Sequence, residues 1–159
     1  FVAARGNVDT RLAKLEAGDF DGLLLAAAGL NRLGRSNVPH SLLPVSESVP
    51  APGQGSLALE IRAGAGELET LVASLDDPGT RAEVEMERRF MAKMGGGCAS
   101  PLGALARAGA QGARMTIFWA DPRRERQVRL DERCGPTQAQ REELVRALAE
   151  RARDAVSGA

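Results

Sequence analysis

The chain has 159 residues, of which 43% are hydrophobic and 26% are charged, and its formal net charge at pH 7 is +0. This length and composition predict a globular protein, and the balanced charge provides no overall field to attract nucleic acid or an anionic membrane surface. Two cysteines and one histidine are too few for a disulfide framework or a zinc site, and no apolar stretch reaches membrane-spanning length. We therefore expect a cytoplasmic protein with no membrane, nucleic-acid or metal partner.

The first part of the chain predicts a helix, a strand and a loop. The helix would begin at an N-cap of Asp9 or Thr10 and stop at Gly18. The apolar stretch 22–29 is bounded by glycines and suits an interior strand of a parallel sheet. A loop rich in proline and serine is expected over residues 36–52.

A shorter second part predicts a strand over residues 56–61 and a helix over residues 67–75, where apolar residues recur at helical spacing. One strand and one helix are too small to form a domain of their own. We therefore expect this piece to complete a sheet whose other strands lie elsewhere in the sequence.

The remainder of the chain predicts a small α+β domain. Asp77 followed by Pro78 is typical of a helix start, and one apolar face runs along this helix to Met94. Short turns between the following segments favour a three-stranded antiparallel sheet. Three strands and a final helix are expected over residues 103–107, 114–120, 126–132 and 138–156.

Cys98 follows the three glycines from Gly95 to Gly97 and precedes Pro101. Glycine permits positive φ angles and the close approach of a partner, and proline stiffens the end of the loop. This context predicts a displayed thiol that acts as a nucleophile or an attachment point. A cysteine packed beneath its loop is the alternative interpretation.

Arginine dominates the basic residues, since Lys14 and Lys93 are the only lysines among 21. The planar guanidinium group matches carboxylate and phosphate oxygens. Arg5 and Arg11 flank the start of the first helix, where free backbone N–H groups also favour anions. Arg32 follows the predicted strand, at the end where α/β clefts bind ligands. Solvated side chains, or a salt bridge between domains for Arg32, are the alternatives.

Four motifs occur in an order that is similar to one known family. They are RGNVDTRL at 5–12, LAAAGLNRLG at 25–34, PAPGQG at 50–55 and GGGC at 95–98 with Pro101. Together they resemble the porphobilinogen deaminase family, also called hydroxymethylbilane synthase, whose members act in tetrapyrrole biosynthesis. The resemblance spans nearly the whole chain, but only the C-terminal half or so of such an enzyme.

This resemblance implies a fold with α/β and α+β parts. The family has two α/β domains of periplasmic-binding-protein type and a third, α+β domain that carries the cofactor cysteine. On this map residues 1–47 are the second half of domain 2, residues 48–76 are the return segment of domain 1 and residues 77–159 are the third domain. The missing N-terminal half would complete the sheets, and the full-length protein is expected to be a monomer.

The resemblance also implies a chemistry. In the family, the cysteine matched by Cys98 holds a dipyrromethane as a thioether, and four porphobilinogen units are added to it with loss of ammonia to give hydroxymethylbilane. A covalent primer keeps the growing oligopyrrole at one catalytic centre. The family's catalytic aspartate lies in the N-terminal half, so we expect this chain alone to lack turnover.

Further site residues are implied in the same way. Arg5, Arg11 and Arg32 would bind the carboxylates of the substrate. Gln54 and Gly55 would form a hinge, for which a plain linker turn is the alternative. Ala26 and Gly29 would let a pyrrole ring pass close to the backbone, for which helix packing is the alternative. Besides Cys98, the residues expected to contact the primer are Arg5, Arg11, Ala26, Gln54 and Gly55.

Two other functions stay open. A noncatalytic module would hold a carboxylated small molecule with the same arginines and leave Cys98 buried. A cysteine hydrolase would need a histidine near its thiol, and only His40 is present, so we assign His40 no catalytic role. Cys134 is expected to be structural or idle. Three carboxylates are expected on solvated or paired faces: Glu60, Glu83 and Glu87.

Overall fold

The computed structural model of the chain describes residues 2–96, 100–121, 123 and 125–157. These residues form five helices and one three-stranded sheet. The chain divides into two compact units, Phe1–Leu43 and Pro44–Ala159. None of the described helices is both long and apolar enough to cross a membrane.

The first unit contains two short helices, α1 (Val8–Glu16) and α2 (Ala27–Arg32). Helix α1 begins after Asn7, whose Oδ1 accepts hydrogen bonds from the backbone N–H and the hydroxyl of Thr10 at 2.9 and 2.7 Å. The predicted N-caps at Asp9 and Thr10 are therefore wrong, because Asn7 is an equally good cap and starts the helix earlier. Gly18, at φ +82°, follows the helix end as predicted.

Two predicted strands are not found in the described residues. The stretch 22–29 runs into helix α2 instead, and residues 56–61 form no regular structure, with Leu57 84% exposed. A strand is stable only when its backbone N–H and C=O groups are paired, and no described strand pairs with either segment. The helix expected after the second segment is present as α3 (Glu67–Ala73).

Helix α4 (Pro78–Lys93) opens the predicted α+β domain in the second unit. Its start is as predicted: Oδ1 of Asp77 accepts the backbone N–H of Thr80 at 2.6 Å, and Pro78 lies in the first turn. This capping hydrogen bond lowers the pKa of the Asp77 carboxyl below its ordinary value. The helix therefore begins with a negatively charged cap, which also interacts favourably with the positive end of the helix dipole.

The sheet consists of strands β1 (Leu102–Gly109), β2 (Gly112–Asp121) and β3 (Arg126–Cys134), antiparallel and in the order β1-β2-β3. Ile117 in the central strand pairs with Ala104 on one side and Leu130 on the other. The predicted three-stranded antiparallel sheet is thus confirmed, although each strand is longer than predicted. Helix α5 (Gln138–Ser157) follows β3, close to its predicted bounds.

Helices α4 and α5 pack on one face of the sheet and form the core with it. Phe90 of α4, Met115 and Ile117 of β2 and Leu148 of α5 are completely buried. Burial of each such side chain contributes about 1.5–3 kcal/mol to folding. The predicted apolar faces of both helices are therefore the faces that meet the sheet.

Candidate functional site

Arg11 is braced at the beginning of α1. Its Nε donates to the carbonyl oxygen of Gly6 at 2.8 Å. Gly6 adopts φ +113°, and an added Cβ there would lie 2.9 Å from Cγ2 of Thr10, so the tight turn before the helix requires glycine. The two terminal nitrogens of Arg11 form no hydrogen bond with other described residues. A fixed guanidinium with free N–H groups at a helix start suits a carboxylate.

Arg5 and Arg32, the other two arginines singled out in the first unit, are both exposed. Arg5 precedes α1, and Arg32 is the last residue of α2. Neither side chain forms an ion pair or hydrogen bond with another residue in the described part of the chain. The first unit therefore presents three guanidinium groups with unused hydrogen-bonding capacity.

Among the described residues, an ion pair and a close packing contact join helix α1 to α2 and to the segment that follows α2. Asp9 forms an ion pair with Arg35, just after α2, at 3.5 Å. An added Cβ at Gly29 would lie 3.3 Å from Cγ2 of Val8, so the small size of Gly29 serves helix packing. Ala26 lies directly before α2 with an exposed side chain, and no side chain caps this helix.

Gln54 and Gly55 lie in a turn over residues 52–55. The backbone N–H of Gln54 donates to the carbonyl oxygen of Ala51 at 3.1 Å, and its side-chain Oε1 accepts the N–H of Ala51 at 3.2 Å. Gly53 adopts φ +71°, a conformation that favours glycine. An added Cβ at Gly55 would meet no atom within 4 Å. The turn is thus closed by its own hydrogen bonds and leaves Gly55 accessible.

Glu87 of α4 holds this turn to the sheet, a role that the sequence did not reveal. Its Oε2 accepts the N–H of Gly53 at 2.6 Å, and its Oε1 accepts the N–H of Ala106 in β1 at 2.9 Å. Glu87 is only 5% exposed. The expectation of a solvated or paired face is therefore wrong for Glu87, because the side chain is buried and its partners are two backbone amides. The expectation is confirmed for Glu83, whose Oε2 lies 3.2 Å from Nη1 of Arg107.

Helix α4 ends in a glycine-dependent cap directly before the cysteine segment. The N–H of Gly95 donates to the carbonyl oxygen of Ala92, and that of Gly96 donates to Met91, both at 3.1 Å. Gly95 adopts φ +64°, the left-handed conformation that this Schellman arrangement needs. The direction in which the chain leaves α4 is therefore fixed.

Cys98 itself lies outside the described residues, as do Gly97 and Ala99, so its display to solvent stays a prediction. The chain is held again after this segment, where the N–H of Ala120 in β2 donates to the carbonyl oxygen of Pro101 at 3.1 Å. The described chain is therefore anchored at Gly96 and again at Pro101.

The residues given no catalytic role have ordinary surroundings. His40 is exposed, with Nδ1 2.6 Å from the carbonyl oxygen of Val38. Cys134 is half-buried against the core, and Glu60 is exposed, as predicted. In the described ranges no group of three or more His, Cys, Asp or Glu side chains is placed to hold a metal ion.

These features define an α+β protein that, within its described residues, keeps guanidinium N–H groups free to bind an anion. Two family models match the chain in succession. Residues 1–70 match the dipyromethane cofactor binding domain of porphobilinogen deaminase, and residues 81–154 match the porphobilinogen deaminase C-terminal domain. The chain therefore belongs to the porphobilinogen deaminase family.

Curated relatives agree with this membership. The chain is 54% identical over 102 residues to porphobilinogen deaminase of Roseiflexus castenholzii, an alignment that covers 64% of the chain and 34% of that protein. It is 48% identical over 115 residues to porphobilinogen deaminase 1 of Streptomyces avermitilis, covering 72% of the chain and 36% of the relative. The chain thus spans about a third of the length of the curated relatives it matches.

Proposed function

We propose that the chain is the C-terminal portion of a porphobilinogen deaminase, a transferase of tetrapyrrole biosynthesis. The proposed enzyme joins four porphobilinogen units, each with loss of ammonia, to a cysteine-linked dipyrromethane and releases hydroxymethylbilane. The observation that carries the proposal is the ordered match of both family models, over residues 1–70 and 81–154.

Cys98 is the proposed attachment point of the dipyrromethane. When bound there as a thioether, this group supplies an electron-rich pyrrole carbon for the next substrate unit. The residues of the chain fit a multiply anionic pyrrole: in its described part, Arg11 keeps two terminal nitrogens free and Arg5 has no competing partner. Gly55 leaves open space where a ring can approach the backbone.

The proposed role of the arginines is to bind and orient carboxylates. Porphobilinogen carries an acetate and a propionate arm, so each added ring brings two negative charges that the protein must bind. Arg5 and Arg11 bind those of primer and substrate, and Arg32 binds those of the substrate. Each charge-assisted hydrogen bond contributes about 1.5–3 kcal/mol where water is excluded. Three further residues make the proposed close contacts with the primer: Ala26, Gln54 and Gly55.

The proposed domain arrangement explains the two segments that lack a strand partner. Residues 1–47 belong to α/β domain 2, residues 48–76 return to α/β domain 1 and residues 77–159 form the third domain, the α/β pair being of periplasmic-binding-protein type. Leu24, Leu57 and Leu59 are 73%, 84% and 59% exposed, which is unusual for leucines in strand-forming sequence. The N-terminal portion would pair with these segments and cover their side chains. We propose that the full-length protein is a cytoplasmic monomer.

The test is intact mass spectrometry of the chain expressed with the N-terminal portion that its relatives carry, here called the extended protein. We expect a mass increase equal to two porphobilinogen units less two ammonia molecules. Cys98→Ser should lack this increase, and Cys134→Ser, the matched control, should retain it. An unmodified Cys98 in the extended protein that still binds porphobilinogen would favour the noncatalytic binding module instead.

Turnover provides the second arm of the test. The extended protein should form hydroxymethylbilane from porphobilinogen, and the 159-residue chain alone should not, because the family's catalytic aspartate lies in the N-terminal portion. Turnover by the chain alone would contradict the proposed division of the active site between the two portions.

A further inference from the structure

Two glutamates of α4 accept hydrogen bonds from backbone N–H groups on the outer edge of strand β1. Oε1 of Glu83 accepts the N–H of Ala108 at 2.9 Å, and Oε1 of Glu87 accepts the N–H of Ala106 at 2.9 Å. Four residues of a helix span about 6 Å along its axis, and two residues of a strand span about 6.7 Å. Because these distances are similar, side chains four residues apart on a helix can each reach one of two alternate N–H groups on a strand. Both glutamates thus pair edge groups that β1 would otherwise leave open.

Glu87 differs from Glu83 in what its second oxygen binds. The second oxygen of Glu83 meets the exposed side chain of Arg107, whereas that of Glu87 accepts the N–H of Gly53 at 2.6 Å. A buried carboxylate is costly unless its oxygens are hydrogen-bonded, and each oxygen of Glu87 has a backbone donor. The bond to Gly53 therefore joins the 52–55 turn to β1 through one side chain of α4.

Only a carboxylate satisfies both donors at this position. Glutamine offers one acceptor oxygen, and its NH₂ group would face the other backbone N–H. The two N–H donors therefore require the two acceptor oxygens of a carboxylate at position 87.

We infer that Glu87 is a positioning residue, which fixes the turn carrying Gln54 and Gly55 relative to α4 and β1. The inference rests on the proposed function, in which this turn contacts the primer. Helix α4 leads in sequence directly into the segment of Cys98, so one carboxylate links the proposed contact surface to the helix that precedes the attachment point. If this link were lost, the 52–55 turn that is proposed to contact the primer could move independently of α4, the helix that precedes the attachment point.

Amide hydrogen exchange in the 159-residue chain tests the structural link. In the unaltered chain the N–H of Gly53 should exchange nearly as slowly as that of Ala106, although Gly53 lies in a turn. Glu87→Gln should speed exchange at Gly53 by about tenfold or more, whereas the matched control Glu83→Gln should speed exchange at Ala108 only. Fast exchange at Gly53 in the unaltered chain would overturn the inference even if Glu87→Gln does not fold.

The extended protein tests the consequence for function. Glu87→Gln should lower the fraction of folded protein that carries dipyrromethane and raise the KM for porphobilinogen, and Glu83→Gln should change neither. A merely structural Glu87 would lower only the melting temperature, which overturns the inference. If the unaltered extended protein carries no adduct at all, the proposed function fails, while the exchange result for Gly53 still decides whether Glu87 holds the turn.

Discussion

The carbonyl oxygen of Val49 occupies the space where a side chain at Gly103 would begin. A Cβ built on Gly103 falls 2.6 Å from that oxygen and 2.8 Å from Cβ of Val49. The next residue of β1, Ala104, donates its N–H to the carbonyl oxygen of Pro50 at 2.9 Å. The segment before the 52–55 turn therefore runs directly against the edge strand and protects it from pairing with another chain.

Gly103→Ala should destabilise the second unit by about 1–3 kcal/mol, because the added methyl group forces Val49 away from β1. The matched control is Gly109→Ala at the other end of the same strand, where an added Cβ meets no atom within 4 Å. Chemical denaturation of the two variants and the unaltered chain measures the difference in the free energy of unfolding. Equal stability of both variants would show that Val49 is not held against the strand.

Arg129 holds the same segment from β3. Its Nη1 and Nη2 donate to the carbonyl oxygens of Val45 and Glu47 at 2.7 and 2.9 Å, and its guanidinium lies 5.9 Å from the ring centre of Phe118. Arg129→Lys keeps the charge but loses the planar fork that reaches both carbonyls. We expect the free energy of unfolding to fall by about 1 kcal/mol, with faster proteolysis at residues 44–48.

A lysine at a neighbouring position is the control for Arg129. Arg133 lies on the same face of β3, four residues further along, and makes no hydrogen bond to residues 45–47. Arg133→Lys should therefore leave both the stability and the proteolysis pattern unchanged. If both variants lost the same stability, the cause would be the introduction of lysine into β3 and not the loss of the contacts of Arg129.

The α+β domain could be predicted from the sequence because its signals are local. Asp77 and Pro78 mark the start of α4 within one turn, and the sheet is built from hairpins whose short loops bring neighbouring segments together. The strands expected over residues 22–29 and 56–61 are not found in the described residues, and these segments have no such local signal for a partner strand. A strand needs a partner, and a partner outside these residues leaves no trace in the local pattern.

The site was predicted less completely than the fold. Arg11 could be singled out by its place at a helix start, but its brace on Gly6 depends on a turn that only the structure defines. Glu87 lies three residues before Phe90 and seven before Met94, so helical periodicity places it on the apolar face. That was a signal of burial. Its partners could not be predicted, because they are backbone groups 34 and 19 residues away in sequence.

The Asp77 cap predicts a specific pH dependence of stability. The hydrogen bond from the Thr80 N–H lowers the pKa of Asp77 from the ordinary 3.8. A carboxyl whose pKa is lowered on folding contributes stability above the unfolded pKa, and that stability is lost as the pH falls through the folded pKa. Asp77→Asn keeps a capping oxygen that does not titrate, so its melting temperature should fall less than that of the unaltered chain below pH 3.8.

Circular dichroism melts from neutral to acidic pH measure this difference. Asp77→Ala should lower the melting temperature already at neutral pH, because it removes the cap, and Asp154→Asn, exposed in α5, should follow the unaltered chain throughout. Parallel acid curves for Asp77→Asn and the unaltered chain would show that the cap does not contribute to acid sensitivity.

Arg11 should bind a carboxylate of porphobilinogen through the two nitrogens that its bond to Gly6 leaves free. In the extended protein, Arg11→Ala should weaken porphobilinogen binding about tenfold to a hundredfold, the effect of losing charge-assisted hydrogen bonds of about 1.5–3 kcal/mol. Arg11→Lys should recover only part of this loss, because an ammonium lacks both the fork and the brace on Gly6. Lys14→Ala, on the same helix, removes a positive charge without removing these groups and should leave binding unchanged. Isothermal titration calorimetry separates the cases. Equal losses of affinity for Arg11→Ala and Lys14→Ala would show that Arg11 contributes only its positive charge. No loss of affinity for Arg11→Ala would show that Arg11 is a solvated surface residue.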